Sequence, residues 1–199
     1  MSNHFSDCKI KLLLASGSPR RKQLLGELGF PVDILEVRDI EESYSPTLAP
    51  EEVPVYLSKK KAAAYFDHHL EENEIIVTAD TVVILDGQVL GKPSSEKDAV
   101  NMLRALSGKS HKVVSGVTLL YKNQRTVSFA TETIVTFEKL TDKEIRYYIE
   151  KFKPFDKAGA YGIQEWIGYI GVKGIEGDYY NVMGLPLHNL YKHLFLTTP

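Results

Sequence analysis

Ile10-Lys11-Leu12-Leu13-Leu14-Ala15-Ser16-Gly17-Ser18-Pro19-Arg20-Arg21 holds the pattern from which the fold class follows. Residues 10–15 form a short apolar run bounded by a Gly/Ser/Pro turn, which suits a buried strand better than a helix. Pro19 then stands where its missing N–H costs nothing, in the first turn of a helix. Leu24, Leu25 and Leu28 mark one face of that helix, and Gly29 ends it. A strand that turns through Gly and Ser into a helix offers free N–H groups and the positive end of a dipole, the general geometry for holding phosphate. Ser16 and Ser18 add hydroxyl donors; Arg20 and Arg21 add charge and a two-pronged grip. The plainer alternative, a helix start with two solvated arginines, stands equally at this point.

Outward from this unit, helices and strands mix. Residues 32–37 read as a strand, 38–49 as a polar loop carrying Glu41 and Glu42, and about 50–65 as a helix. Residues 75–78 form a strand that runs into Ala79-Asp80-Thr81, and 82–85 and 88–90 flank Asp86-Gly87, a hairpin signal. Ser95 with Asp98 opens a helix bearing Val100, Leu103 and Leu106, and Thr141 with Glu144 opens another that reaches about Lys151. Between them lie two long β-rich runs, 113–121 and 126–137. Residues 153–164 read as a loop or tight crossover, 167–172 as a strand, and 185–196 as a closing helix. Hairpins together with crossovers predict an α/β fold with a mixed sheet.

The chain of 199 residues carries 24 Lys+Arg against 26 Asp+Glu, a formal charge of −2, which argues against a strongly basic nucleic-acid binder. Its 43% hydrophobic and 25% charged residues are the balance of an ordinary globular chain. The expectation is one domain over residues 1–199, with 1–8 as a loose polar tail. Cys8 is the one cysteine, so there is no internal disulfide and no Cys-rich metal site; a reducing compartment, the cytoplasm, is the expected location. No apolar stretch reaches the roughly 18 residues of a membrane span. The run at 12–15 is too short for the core of a secretory signal, which needs about 7–15 residues.

Several residues could carry chemistry. Asp80 follows four apolar residues and is expected near the C-terminal end of a buried strand, where open α/β sheets bind ligands. Together with Glu42 it could hold Mg²⁺, which takes one or two carboxylates plus substrate phosphate; a turn aspartate and a solvated loop glutamate are the plainer alternatives. Lys92 follows the hairpin in Gly91-Lys92-Pro93, and Lys61 ends the run Lys59-Lys60-Lys61, in which no single lysine stands out. In the stretch 156–164, DKAGAYGIQ, two glycines around Tyr161 imply a sharp bend or a close backbone approach. Gln164 there offers one acceptor and two donors to a base edge. Gly108-Lys109-Ser110 ends like a phosphate loop but has Leu103 where the first glycine is required. Neither His68-His69 nor the pair His188 and His193 has helical zinc spacing.

Taken in order, LLLASGSPRRKQLL, IEE at 40–42, LSKKKA at 57–62, ADTVVILDGQVLGKP at 79–93, MLRALSGKSHKV from Met102, KPFDKAGAYGIQ from Lys153 and GDYYNVMGLPL from Gly177 resemble the Maf family of nucleoside-triphosphate pyrophosphatases. The resemblance covers about residues 11–194. It implies an elongated mixed sheet in two lobes, similar to inosine-triphosphate pyrophosphatases, with the site in the cleft between the lobes. It also implies that water attacks the α-phosphorus with Asp80 as proton acceptor and Glu42 as a cleft carboxylate. Glu42 and Asp80 would hold the divalent cation, Mg²⁺ or Mn²⁺. Lys92 joins the two acids in the catalytic set. Ser16, Ser18, Arg21 and Lys61 would bind the triphosphate, while Arg20, Thr81 and Gln164 match positions that tune substrate choice. That combination resembles the dTTP and UTP subgroup. One departure is Glu165-Trp166, where a glycine commonly follows Gln164. The expected partner is the nucleotide, with no nucleic acid and no membrane; a homodimer is compatible with this. The alternative that the family suggests is a regulatory interaction protein that restrains cell division.

Overall fold

The computed structural model describes residues 10–196; the expected tail and Cys8 fall outside them. Strand β1, Lys11–Leu14, has Leu12 and Leu14 in one apolar cluster and Leu13 in another on the opposite face. A strand covered on both faces reads as an unbroken apolar run, which is why the leucines do not alternate with polar residues. Helix α1, Pro19–Gly26, starts as expected, with Ser18 Oγ accepting from Arg21 N at 3.4 Å. It ends before Gly29, which lies in the turn to β2, Val32–Ile34, an edge strand shorter than residues 32–37.

Helix α2, Val53–Ala63, follows a 3-10 turn at Pro50–Glu52. Strand β3, Glu74–Leu85, corrects one expectation: Asp80 stands in mid-strand, not near a C-terminal end. The strand continues because Val82 to Leu85 extend the buried run, and the polar interruption is satisfied internally, Thr78 Oγ1 donating to Ser58 O at 2.8 Å. Its first residues pair parallel with β1, Leu14 facing Val77, so Asp80 lies just past the carboxyl end of its neighbour. From Ile76 onward β3 pairs antiparallel with β5, Ser110–Leu120, which pairs with β6, Thr126–Phe137. With β4, Gln88–Leu90, on β3 and β7, Val172–Glu176, on β6, the described residues form a seven-stranded mixed sheet in the order β2-β1-β3-β5-β6-β7.

Helices α3, Glu96–Leu106, and α4, Asp142–Phe152, carry the expected caps, and Thr141 with Glu144 forms a complete capping box. Residues 167–172 are a second correction. Trp166–Gly171 is helix α5, and the strand follows it as β7. A six-residue apolar run does not distinguish helix from strand by periodicity. Close contact decides here: a Cβ on Gly168 would stand 1.8 Å from Ile163 O, a packing of helix on the preceding turn that only glycine permits. A short helix absent from the sequence reading, α6, Tyr179–Met183, is capped by Asp178 and ended by Gly184 at φ 112°. Helix α7, Leu187–Leu196, closes the described chain. Among the described residues no helix is long and apolar enough to cross a membrane.

The apolar interior is split along the sheet. One cluster gathers Leu12, Leu24, Val77, Ala79, Leu119 and Leu190, and another gathers Val83, Leu103, Phe137, Ile145, Tyr148 and Ile167. Strand β3 passes from the first into the second, and Asp80 and Thr81 lie at the crossing, between Ala79 and Val83. Gly116 on β5 faces Asp80 in register, and a Cβ there would stand 2.3 Å from the Pro54 and Val55 backbone. Gly116→Ala is therefore expected to push α2 off the sheet and cost about 1–3 kcal/mol; an unchanged urea midpoint would contradict this packing.

Candidate active site

The turn after β1 and the first residues of α1 form one wall. Ser18 N donates to Ser16 Oγ at 3.3 Å, which shapes the turn ahead of the helix. Arg21 is no solvated arginine. Its Nε donates to Gly184 O at 2.8 Å, Nη1 to Ala79 O at 2.9 Å and Ser16 Oγ at 3.4 Å, and Nη2 to Thr81 Oγ1 at 3.1 Å. Burial lowers its pKa below the usual arginine value against the raising pull of Asp80, and the guanidinium stays charged. Thr81 Oγ1 also shares a hydrogen bond with Ser115 Oγ at 2.8 Å, and Ser115 Oγ donates to Asn181 O at 3.1 Å.

Lys61, on the last turn of α2, stands between the two acids that sequence reading singled out. Its Nζ lies 2.6 Å from Asp80 Oδ1 and 2.8 Å from Glu42 Oε1. Asp80 is almost enclosed and Glu42 is half-open to solvent. Partial burial works against the Glu42 carboxylate, but the Lys61 hydrogen bond and the charges of Lys61, Lys92 and Arg21 outweigh it and hold its pKa below the ordinary value. The position of Lys61 answers what the run of three lysines left open: Lys60 instead donates to Ser43 at 3.3 Å. The loop bearing Glu42 is tied at its root by Tyr65, whose hydroxyl donates to Glu36 O at 2.7 Å and accepts from Arg38 N at 3.1 Å.

The opposite wall is the segment 156–164. Arg20 Nη1 reaches across to Asp156 Oδ2 at 2.7 Å. Asp156 Oδ1 pairs with the buried Lys157 at 2.7 Å, and Lys157 pairs with Glu165 at 3.2 Å. Gln164 Oε1 is buried with no hydrogen-bond partner. His111 Nδ1, Asp178 Oδ2 and Asn181 Oδ1 are in the same condition. Both walls enclose a cleft of about 860 Å³ lined by Ser16, Ser18, Arg20, Arg21, Glu42, Lys61, Asp80, Thr81, Lys92 and Gln164, so every residue predicted from the sequence reaches it. Its size is that of an ordinary small-molecule site. The sequence marks the 156–164 stretch and the Glu165-Trp166 departure but gives Asp156, Lys157 and Glu165 no role; the adjacent opposite charges of Asp156-Lys157 in a glycine-rich stretch are the available signal.

Among the described residues no group of three or more His, Cys, Asp or Glu could cage a metal. Lys61 takes one oxygen of each carboxylate, which leaves the second oxygens of Asp80 and Glu42 outside that pairing. Two hard oxygen donors beside a phosphate-type turn fit a divalent cation that keeps several waters and takes further ligands from phosphate.

The family model described as "Maf-like protein" matches residues 11–196. A relative from Phocaeicola vulgatus named dTTP/UTP pyrophosphatase is 54% identical over 186 residues, covering 94% of this chain and 95% of its own. One of the same name from Bacteroides thetaiotaomicron is 51% identical, with the same shares covered. Among solved structures, the Staphylococcus aureus Ham1 protein is similar in fold, with a TM-score of 0.50 and 17% identity over 94% of this chain and 100% of its own.

The ion pairs across the cleft carry a pH signature. Burial alone would raise the Asp156 pKa, but hydrogen bonds from Lys157 and Arg20 lower it to about 2. Its folded value lies below the unfolded value of about 3.9, so the stabilisation is complete above roughly pH 5 and is lost as pH falls toward 2. Because Asp156 is half-exposed, Asp156→Asn is expected to cost only about 0.5–1 kcal/mol at pH 7. Denaturation midpoints of variant and parent should converge by about pH 2; a gap that persists there would refute the assignment.

Proposed function

The chain belongs to the Maf family, and from that premise we propose that it hydrolyses nucleoside triphosphates, dTTP and UTP foremost, at the α–β phosphoanhydride. The products are a nucleoside monophosphate and pyrophosphate, and the role is to clear the nucleotide pool of the cytoplasm. The observation that carries this reading is the pairing of Asp80 and Glu42 on Lys61 inside a cleft that also holds a phosphate-type turn and Arg21. The names of the relatives support the same substrate class. A protein that restrained cell division by binding alone would have no use for this cleft.

The substrate brings about four negative charges, which the cleft must meet with cations and donors already in place. The Ser16–Ser18 turn supplies hydroxyl donors to phosphate oxygens, and Arg21, with four of its five N–H groups taken by Gly184 O, Ala79 O, Ser16 Oγ and Thr81 Oγ1, supplies its charge and the remaining Nη2 N–H. Lys92 lines the same cleft, and in this reading its ammonium meets the charge that grows on the leaving pyrophosphate. Asp80 orients the attacking water and accepts its proton, and Lys61 Nζ fixes that carboxylate in place with a hydrogen bond at 2.6 Å. Glu42 and Asp80 are the residues that would hold a divalent cation. When bound, Mg²⁺ or Mn²⁺ lowers the pKa of water and neutralises phosphate charge. Gln164 lines the cleft, and its amide can accept from the N3–H of uracil or thymine and donate to a ring carbonyl.

Asp80→Asn is expected to lower kcat for pyrophosphate release by at least about 10²-fold, within the range for loss of a general base, while the thermal midpoint is kept. Unchanged turnover would remove Asp80 from this role. Gln164→Glu is expected to reduce kcat/KM for dTTP and UTP by about 10-fold relative to other nucleotides, the scale of one lost buried hydrogen-bond partner. A uniform loss over a nucleotide panel would speak against base reading.

A further inference from the structure

Residue Gln164 sits in a turn whose two ends and one side chain are fastened to each other. Glu165 N donates to Gly162 O at 3.0 Å, and Gly162 N donates to Tyr148 Oη at 3.0 Å. The Tyr148 hydroxyl in turn donates to Glu165 Oε2. Tyr148, on the buried face of α4, is fully enclosed, so the turn is anchored in the core. The other carboxylate oxygen, Glu165 Oε1, pairs with Lys157 Nζ at 3.2 Å. The packing leaves no slack: a Cβ on Gly162 would stand 3.0 Å from Glu165 Cδ and 3.1 Å from Lys157 Cε.

From Lys157 the chain of charges goes on to Asp156 at 2.7 Å and from there to Arg20 Nη1 at 2.7 Å, on the first turn of α1 across the cleft. The inner members are shielded, Lys157 with 9% and Glu165 with 20% of the side chain exposed, whereas Asp156 is 55% exposed. Shielded pairs are little screened by salt and keep their geometry better than surface pairs. Gln164 therefore has a main chain held on both sides and an amide oxygen with no partner. A turn held in this way fixes where the Gln164 side chain starts, and a lost ligand hydrogen bond there leaves a polar group unpaired.

We propose that Glu165 is a positioning residue for substrate choice: it clamps the Gly162–Glu165 turn so that the Gln164 amide meets the base, and through Lys157 and Asp156 it holds that turn in register with Arg20. Glu165 does not touch the substrate and acts through Gln164. The proposal rests on the reading of the cleft as a pyrimidine nucleotide site. It predicts that damage to the clamp harms discrimination between bases rather than the chemical step.

The test is kcat and KM for UTP and CTP, at saturating Mg²⁺, for the parent, Glu165→Ala and Glu165→Gln. Cytosine lacks the N3–H that Gln164 Oε1 would accept, so the parent should prefer UTP by about 10-fold or more. A parent without that preference overturns the base-reading premise itself. Given the preference, Glu165→Ala should erase most of it, mainly through a higher KM for UTP with kcat for CTP nearly unchanged. Glu165→Gln keeps an acceptor for Tyr148 and should restore at least half of the lost preference on a logarithmic scale. An equal loss on both nucleotides, a loss confined to kcat, or no rescue by glutamine would overturn the proposal while leaving the cleft's substrate class intact.

Discussion

The ammonium of Lys61 lies within hydrogen-bond distance of two carboxylates, at 2.6 Å from Asp80 and 2.8 Å from Glu42, in the cleft between the α1 turn and the segment 156–164. Two acids in such a place would repel each other and repel an anionic ligand. Lys61 removes that difficulty, and its own position depends on a residue with no side chain. Gly116 faces Asp80 on the next strand and lets the backbone at Pro54 and Val55 come down onto the sheet. Pro54 and Lys61 are seven residues apart, two helical turns, and so lie on one face of α2. The close approach at Gly116 thus brings Lys61 over Asp80.

The two walls of the cleft are stiff for different reasons. On the α1 side Arg21 is tied to backbone carbonyls of β3 and of the residue that ends α6, and Thr81, Ser115 and Asn181 continue the network into the interior. On the other side the fastening is ionic, from Arg20 through Asp156 and Lys157 to Glu165. Donors and charges that are already oriented cost nothing to reorganise when negative charge develops, and that is the largest contribution a protein makes to phosphate chemistry.

The parts of the molecule that could be read from sequence are those in which local chemistry decides local structure. Ser18-Pro19 starts α1, Thr141 with Glu144 starts α4, and the unbroken Leu12–Leu14 run marks a strand covered on both faces. What escaped was set by close packing or was too short to show a pattern. Trp166–Gly171 became a helix because Gly168 packs on Ile163, and α6 is too short to show a period. The candidate residues were visible as types, and the resemblance to one family put them in order. Their division of labour was not visible: nothing local separates Lys61 from Lys60, and nothing in Arg20-Arg21 says that one is bound to the backbone and the other to Asp156.

The mid-strand position of Asp80 has a consequence that a loop position would lack. Successive residues of a strand project to opposite faces. Asp80 therefore points to the α2 face, where Lys61 meets it, and Thr81 points to the other, where Arg21, Ser115 and Gly184 converge. One strand serves both groups, and their separation is fixed by the peptide geometry between two neighbouring residues. A slip of one residue would exchange them and would also turn Val82 and Val83 onto the wrong faces, where each now packs in a different apolar cluster. The apolar contacts that hold β3 in register are thus the same ones that keep the carboxylate on its side of the cleft and the arginine network on the other.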